Sequence, residues 1–260
     1  MSLLSATRPT LIVGHPGHEL RVFGWMLSAH PVVHVLTDGS GSDGKSRVAS
    51  TTALLDSVGA RAGSIYGRLT DRDIYARILA RDHAWFIMLA SELAASLVRD
   101  RADLVAGDAV EGFNPSHDVC RYVINAAVRL ASNGRTIACY AFPLDGPPDT
   151  RTAGLTGDAL RVSLDDAALE RKLQSAHAYT ELRGEVQRTL DRYGVEPFRT
   201  EYMWAVDLND PYCWDPGRTP FYESVGADRV ASGVYRHVVT FHDHVKPLAD
   251  ALFAHSAQPA

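Results

Sequence analysis

The sequence predicts an α/β fold with a mostly parallel sheet, helices on both faces and a loop-rich C-terminal extension. Three short apolar segments, at residues 10–13, 32–36 and 102–108, each end in turn residues. A helical apolar pattern comes after each of them, and this alternation is typical of parallel strands joined by helices. The chain has 260 residues and a hydrophobic content of 46%, enough for one such domain with a large core.

Periodicity and turn residues place the elements of the first half. The predicted elements are strand 10–13, a helix from 18, strand 32–36, helix 47–60, strand 64–66, helix 73–99, strand 102–108, a helix from about 116 and strand 136–142. Leu20, Phe23 and Leu27 begin the apolar stripe of the first helix, and Pro31 ends it. Ser116 is a good N-cap for the helix that follows the strand at 102–108.

Composition changes after Pro143. Residues 145–157 are rich in Gly, Pro and Asp and predict a loop, and residues 163–192 predict one long amphipathic helix. Aromatic residues and prolines crowd residues 193–247, which predicts a loop-rich cover, and a short helix is expected from 248. We therefore divide the chain into a core at 1–145 and a C-terminal helix and cover at 146–260, packed on the same domain.

Charge and hydropathy exclude several classes of function. The net charge is −5 and no basic run is interleaved with aromatics, so we expect no nucleic-acid partner. No segment approaches eighteen apolar residues, and the N-terminus lacks a secretory pattern, so we expect no membrane partner. Cys120, Cys139 and Cys213 form no CxxC pair, which favours free thiols in the cytoplasm. Homo-oligomerisation is left open.

Histidines occupy two equivalent places in this pattern. His15 and His18, with Glu19, follow the first strand and open a helix, and His117 opens the helix after strand 102–108. Parallel topology brings such strand ends to one edge of the sheet, where ligands bind. Histidine is the commonest metal ligand in proteins, so the pattern predicts a divalent metal site. The plain alternative is a pair of polar turns with incidental histidines.

A second motif competes for the same edge of the sheet. Residues 39–46 match GxxxxGKS after the second strand, as a phosphate-binding loop does. Asp43 would place a carboxylate among the amides that hold phosphate, so we regard nucleotide binding as the weaker hypothesis. It predicts ATP binding that depends on Lys45.

Three motifs together resemble the LmbE-like (PIG-L-type) N-deacetylases. GHPGHE at 14–19, Arg47, and NPSHD at 114–118 are similar in order and separation to that family's AHPDDE, RxxE and HPDH. The likeness covers about residues 8–145. It implies a Rossmann-like fold and a Zn²⁺-dependent hydrolase of N-acyl groups on amino sugars and related glycosides, with metal-bound water as the nucleophile. Another divalent transition metal would fit the same ligands.

Position by position, the resemblance makes His15, His18 and His117 the metal ligands, with His18 replacing the family's aspartate. The expected general-base aspartate is Gly17, which cannot accept a proton. We therefore expect Glu19, Asp118, Arg47 and His244 to supply catalytic groups. Each has a plain alternative: carboxylates favour helix N-termini, an arginine pairs with a loop, and a C-terminal histidine lies on the surface.

The missing base leaves two functions open. The first is hydrolysis of an N-acyl bond on a small polar or glycosidic substrate. The alternative is a non-hydrolytic metal-dependent biosynthetic enzyme, or a ligand-binding protein, on a deacetylase-like scaffold.

Overall fold

The computed structural model describes residues 8–41, 44–152 and 155–257. Its strands form a seven-stranded sheet in the order β3-β2-β1-β4-β5-β7-β6. The strands are β1 (Pro9–Val13), β2 (Val32–Thr37), β3 (Arg61–Leu69), β4 (Leu104–Asp108), β5 (Ala138–Phe142), β6 (Leu155–Ser163) and β7 (Thr200–Val206). β1 to β5 pair in parallel, and β7 runs antiparallel between β5 and β6. The fold class is therefore the predicted one: mixed α/β with a mostly parallel sheet.

Helices cover both faces of this sheet. They are α1 (Phe23–Ala29), α2 (Val48–Val58), α3 (Asp71–Leu79), α4 (His83–Arg99), α5 (Pro115–Ala131), α6 (Asp166–Ala178), α7 (Arg183–Tyr193), α8 (Phe221–Ala231) and α9 (Lys246–Ser256). Short 3₁₀ segments lie at His18–Val22, Thr180–Leu182 and Glu196–Arg199, and a π-helical turn lies at Phe241–Val245.

Alternation along β1 divides the core into two layers. Ile12 packs into a cluster with α4, α5 and α9, whereas Leu11 and Val13 pack into a cluster with α1 and α2. Successive side chains of a strand point to opposite faces, so a five-residue strand buried on both sides serves both layers. All five residues of β1 are buried. This makes β1 a rigid base for the turn that follows it.

Several predicted boundaries were wrong. The helix expected at 73–99 is two helices, α3 and α4, because Arg81 takes a positive φ of 54° and the side chain of Asp82 caps a new start. The helix expected at 163–192 is α6, a 3₁₀ turn and α7. Strand β6 covers the end of the loop expected at 145–157 and the first residue of that helix, Ser163.

The region expected to be loop-rich, 193–247, contains β7 and α8 as well as irregular segments. The strand expected at 64–66 extends over nine residues as β3. Among the described residues, no helix combines the length and hydropathy that a bilayer crossing requires. The division of the chain at residue 145 stays a prediction.

Candidate functional site

Three histidine rings meet at the carboxyl edge of the sheet. The ring centroids of His15, His18 and His117 are 5.2, 5.0 and 4.5 Å apart, and each pair meets edge to face. His15 and His18 come from the turn after β1, and His117 from the first turn of α5. β1 and β4 pair in parallel, so the segments that follow these two strands lie side by side although they are about a hundred residues apart in the sequence.

His15 is held on both ring nitrogens. Its Nδ1 lies 2.7 Å from Thr37 Oγ1 and 2.8 Å from Asp71 Oδ1, and its Nε2 lies 2.8 Å from Ser116 Oγ. The Thr37 and Ser116 hydroxyls donate elsewhere, to the Gly14 carbonyl and to Asn114 Oδ1 respectively. Both nitrogens of His15 therefore face acceptors.

His18 rests on a buried carboxylate. Its Nδ1 lies 2.9 Å from Asp108 Oδ2, which also accepts the Gly14 N–H at 2.8 Å. Asp108 is fully buried at the end of β4, and its other oxygen, Oδ1, makes no hydrogen bond to any described residue. The Asp108 carboxylate thus fixes the ring orientation of His18 and ties the turn after β1 to the end of β4.

His117 is the least satisfied of the three. Its Nδ1 is buried and makes no hydrogen bond within the part of the chain that the structure describes. Burial, together with the nearby His18 and His15, holds the pKa of His117 well below its usual value. The ring is therefore neutral near pH 7 and keeps a lone pair, which is the form that binds a metal ion. An unsatisfied buried nitrogen costs free energy unless a ligand engages it.

These donors suit a divalent transition metal by chemistry, but they do not form a preformed cage. Metal-binding histidines usually place the other ring nitrogen on a carboxylate, as His15 does with Asp71 and His18 with Asp108. No group of three or more His, Cys, Asp or Glu in the described part of the chain has metal-binding geometry. The Ser116 hydroxyl contacts His15 Nε2 and would have to release it.

Apolar atoms fill the side-chain position of Gly17. Gly17 has φ 106° and ψ −22°, a backbone conformation that favours glycine. A Cβ at this position would lie 2.2 Å from Leu182 Cδ1 and 3.8 Å from Tyr179 Cζ. Apolar atoms of the segment that precedes α7 therefore occupy the place where the family's aspartate would project.

Glu19 and Asp118, which directly follow His18 and His117 in the sequence, each accept hydrogen bonds from backbone N–H groups. Glu19 accepts from the Gly17 N–H at 2.7 Å and from the Thr51 hydroxyl at 2.8 Å. Asp118 accepts from the N–H groups of Glu111 and Gly112. Burial raises the pKa of both carboxyls to about 7. Both side chains fix loops, and neither lines the cleft described below.

Arg47 and His244, the other predicted catalytic residues, differ in position. Arg47 precedes α2 and lines the cleft that contains the three histidines. His244 lies in the π-helical turn, where its Nδ1 accepts from the Thr240 N–H at 3.1 Å. No hydrogen bond, ion pair or ring contact in the described part of the chain joins His244 to the histidine cluster. Burial lowers the pKa of His244.

A cleft of about 1080 Å³ opens above the cluster. All three histidines, Arg47 and Asp71 line it, and much of its wall comes from α6 and α7. Small-molecule sites usually enclose about 300–1,000 Å³, so this cleft accepts a drug-sized ligand. Part of the competing phosphate-binding motif, Ser42 and Asp43, lies outside the described residues. Gly41, within that motif, gives its N–H to Asp71.

The sequence analysis missed two carboxylates of the site, Asp71 and Asp108. Asp108 ends a strand at the carboxyl edge, and that position was an available signal. Asp71 was hidden because β3 was expected to end at residue 66, whereas Thr70 caps α3 directly after the strand. Burial raises the pKa of Asp71, but hydrogen bonding and charge from His15 more than offset it and hold this carboxyl ionised.

No family model matches the chain, and no curated protein matches it. Solved structures do match. The A40926 pseudoaglycone deacetylase Dbv21 gives a TM-score of 0.54 at 18% identity, over 78% of this chain and 98% of that one. The zinc-inhibited form of the teicoplanin deacetylase Orf2 gives a TM-score of 0.52 at 12% identity, over 76% of this chain and 98% of that one. A deacetylase–bog complex from teicoplanin biosynthesis gives a TM-score of 0.52 at 14% identity, over 77% of this chain and 98% of that one.

These likenesses concern architecture, because identities of 12–18% are too low to carry an activity from one chain to another. The sheet, the flanking helices and the superposed structures agree with the fold that the three motifs implied. The chain therefore has the fold of the LmbE-like deacetylases.

Proposed function

We propose that this protein is a metal-dependent hydrolase of an N-acyl bond on a small polar or glycosidic substrate. The observation that carries the proposal is the meeting of His15, His18 and His117 on a substrate-sized cleft. The fold supports it, since the three structural neighbours are deacetylases, two of them named for teicoplanin and one for the A40926 pseudoaglycone. Hydrolysis consumes one water and releases a carboxylic acid and a free amine.

In this proposal the three histidines hold Zn²⁺ or another divalent transition metal through ring nitrogens. When bound, the metal polarises the amide carbonyl and makes water more acidic. Asp108 and Asp71 orient His18 and His15 and balance part of the positive charge of the site. The name of one neighbour describes inhibition by zinc, so zinc itself is tested against other divalent metals.

The remaining side chains bind and position. We assign Arg47 to the polar part of the substrate because it lines the cleft. We propose that Glu19 and Asp118 act as positioning residues, because their oxygens hold the turn of His18 and the loop before His117. The ionised Asp71 is suited to orienting His15 rather than to accepting a proton. His244 stays a prediction, and the rate of a His244→Ala variant tests it.

One observation favours the alternative, a non-hydrolytic enzyme or a binding protein. Leu182 occupies the side-chain position of Gly17, and the nearby Glu19 carboxylate is held by the Gly17 N–H and the Thr51 hydroxyl and does not line the cleft. Loss of a general base typically slows a reaction about 10²–10⁴-fold. The alternative predicts that the metal-loaded protein binds N-acylated substrates without turning them over.

Metal content and acyl release separate these functions. Purified protein, with its His15→Ala and His117→Ala variants, is analysed for bound metal and then for acid release from N-acylated sugars with Zn²⁺, Co²⁺ or Mn²⁺. We expect stoichiometric metal that both variants lose, whereas the exposed His237→Ala serves as a matched control and keeps it. Metal content that His15→Ala leaves unchanged would overturn the metal site. Full metal loading without acid release would favour the binding alternative.

A further inference from the structure

α7 and the residue before it carry an apolar stripe that the protein core shares with the cleft: Leu182 is buried in the cluster that contains α1 and α2, Val186 packs against that cluster, and Leu190 lies outside it. None of the residues of α7 is fully buried. Leu182, directly before the helix, and Val186 and Leu190 follow each other at a spacing of four residues. This spacing places them on one face of the helix, and all three line the cleft. The cleft-facing part of the stripe is therefore greatest at Val186 and Leu190, which are half-buried, whereas Leu182 is buried at its start.

The stripe begins at the histidine cluster. Leu182 lies against Gly17, which sits between His15 and His18 in the sequence. From there the stripe runs to Leu190, eight residues further on, which corresponds to about 12 Å along the helix axis. Leu173, Ala176 and Phe198 extend the apolar wall beside it. An apolar surface thus starts at the reacting centre and leads away from it.

Charged residues of α7, among them Glu185, Arg188 and Arg192, border the stripe along the same cleft. Other polar lining residues lie beside His15. Asp71 contacts His15 directly, and Asn114 reaches His15 through the Ser116 hydroxyl. A polar amine-side group, as the proposed function requires, finds partners there. The acyl group of the same amide would then contact Leu182 and the stripe beyond it.

We propose that the substrate carries a long, unbranched N-acyl chain that binds along Leu182, Val186 and Leu190. This inference rests on the proposed amide chemistry and names its acyl group. An extended carbon chain advances about 1.2 Å per bond, so a 12 Å stripe accommodates about ten bonds. The glycine at position 17, where the family has an aspartate, makes room for the start of the stripe, because a side chain at this position would displace Leu182.

The experiment measures affinity rather than turnover. N-acetyl-, N-hexanoyl-, N-decanoyl- and N-tetradecanoyl-glucosamine are titrated calorimetrically into the full chain, below their aggregation concentrations, with and without metal. We expect affinity to rise about two- to fourfold per methylene, from the transfer free energy of buried CH₂ groups, and to level off near ten carbons. Affinity that is independent of chain length overturns the proposal, even if acetyl groups are hydrolysed. Chain-length dependence without hydrolysis would remove the proposed function and leave the apolar site standing.

Two variants locate the site. Leu190→Asp should weaken N-decanoyl-glucosamine binding by at least about tenfold, because a charged carboxylate would meet the apolar chain. It should leave N-acetylglucosamine binding unchanged. Val98→Asp makes the same kind of change on an exposed position of α4 and should alter neither affinity. Leu190 belongs to neither main core cluster, so the fold should survive, as far-UV circular dichroism would check. Equal effects of both variants on the decanoyl probe would contradict the assignment.

Discussion

Gly17 and Leu182 offer a direct test of how the turn of the candidate site is built. A Gly17→Ala variant must adopt φ near 106°, which costs a residue with a side chain about 1–2 kcal/mol. Its Cβ must also displace Leu182 Cδ1, which would otherwise lie 2.2 Å away, and such overpacking typically costs about 1–3 kcal/mol. We therefore expect the free energy of unfolding to fall by about 2–5 kcal/mol.

A double-mutant cycle separates the two costs. In a Leu182→Ala background the collision is gone, and the next atom, Tyr179 Cζ at 3.8 Å, is at ordinary contact distance. Gly17→Ala should then cost only the backbone part, about 1–2 kcal/mol. The difference between the two backgrounds is the coupling energy, expected at about 1–3 kcal/mol. Urea unfolding with a shared m-value measures all four proteins.

Gly134→Ala is the matched control. Gly134 has φ 74°, and nothing lies within 4 Å of a Cβ built on it, so this variant carries the backbone cost alone. The reasoning would be refuted if Gly17→Ala destabilised the protein no more than Gly134→Ala did. Additive effects of Gly17→Ala and Leu182→Ala would refute it as well. By the same geometry, Gly17→Asp would destabilise the turn and would not restore a catalytic base.

Three further predictions concern the surroundings of the cluster. Ser116→Ala removes the hydroxyl that competes for His15 Nε2, so calorimetry should show metal binding about fivefold tighter; unchanged or weaker binding would contradict this. Asp108→Asn should weaken metal binding about 10–100-fold because it disturbs the support of His18, and an equal affinity would exclude that role. Burial raises the pKa of Glu111 to about 8, so the folded state holds this proton more tightly. Stability present at low pH should be lost as pH rises from about 4.5 to 8, by up to about 1.4 kcal/mol per pH unit, and Glu111→Gln should flatten this slope in thermal melts.

The elements that could be predicted from sequence are those with strong local signals. β1 is an apolar strand ended by a glycine turn, and α5 starts within one residue of the predicted place. Its N-cap is Asn114 and not the predicted Ser116, because the Asn114 side chain accepts the Ser116 N–H and Pro115 takes the first helical position. These two segments carry the three histidines, so their approach followed from parallel topology alone. The break between α3 and α4 carries no Gly or Pro, and its signal, the cap at Asp82, is weak in sequence. β6 and β7 depend on antiparallel pairing at the sheet edge, which local patterns do not encode.

The partners of the histidines could not be predicted because they are tertiary contacts. Asp108 and Asp71 reach His18 and His15 from different strand ends, and neither belongs to the motifs that the resemblance supplied. Sequence spacing therefore identified the three ring-bearing residues without the carboxylates that orient them.

Gly17 shows most clearly what the fold adds to the sequence. In sequence terms it is a loss, because a carboxylate expected at that position is missing. In the structure the side chain of Leu182, from a distant part of the sequence, fills the space where a side chain at position 17 would lie, and Leu182 starts the apolar stripe of α7. A position that had merely lost its aspartate would leave a polar gap open to the cleft. The close contact between Gly17 and Leu182 instead favours a site in which a proton acceptor has been exchanged for a surface that binds hydrocarbon, and the chain-length series decides whether this exchange sets the substrate.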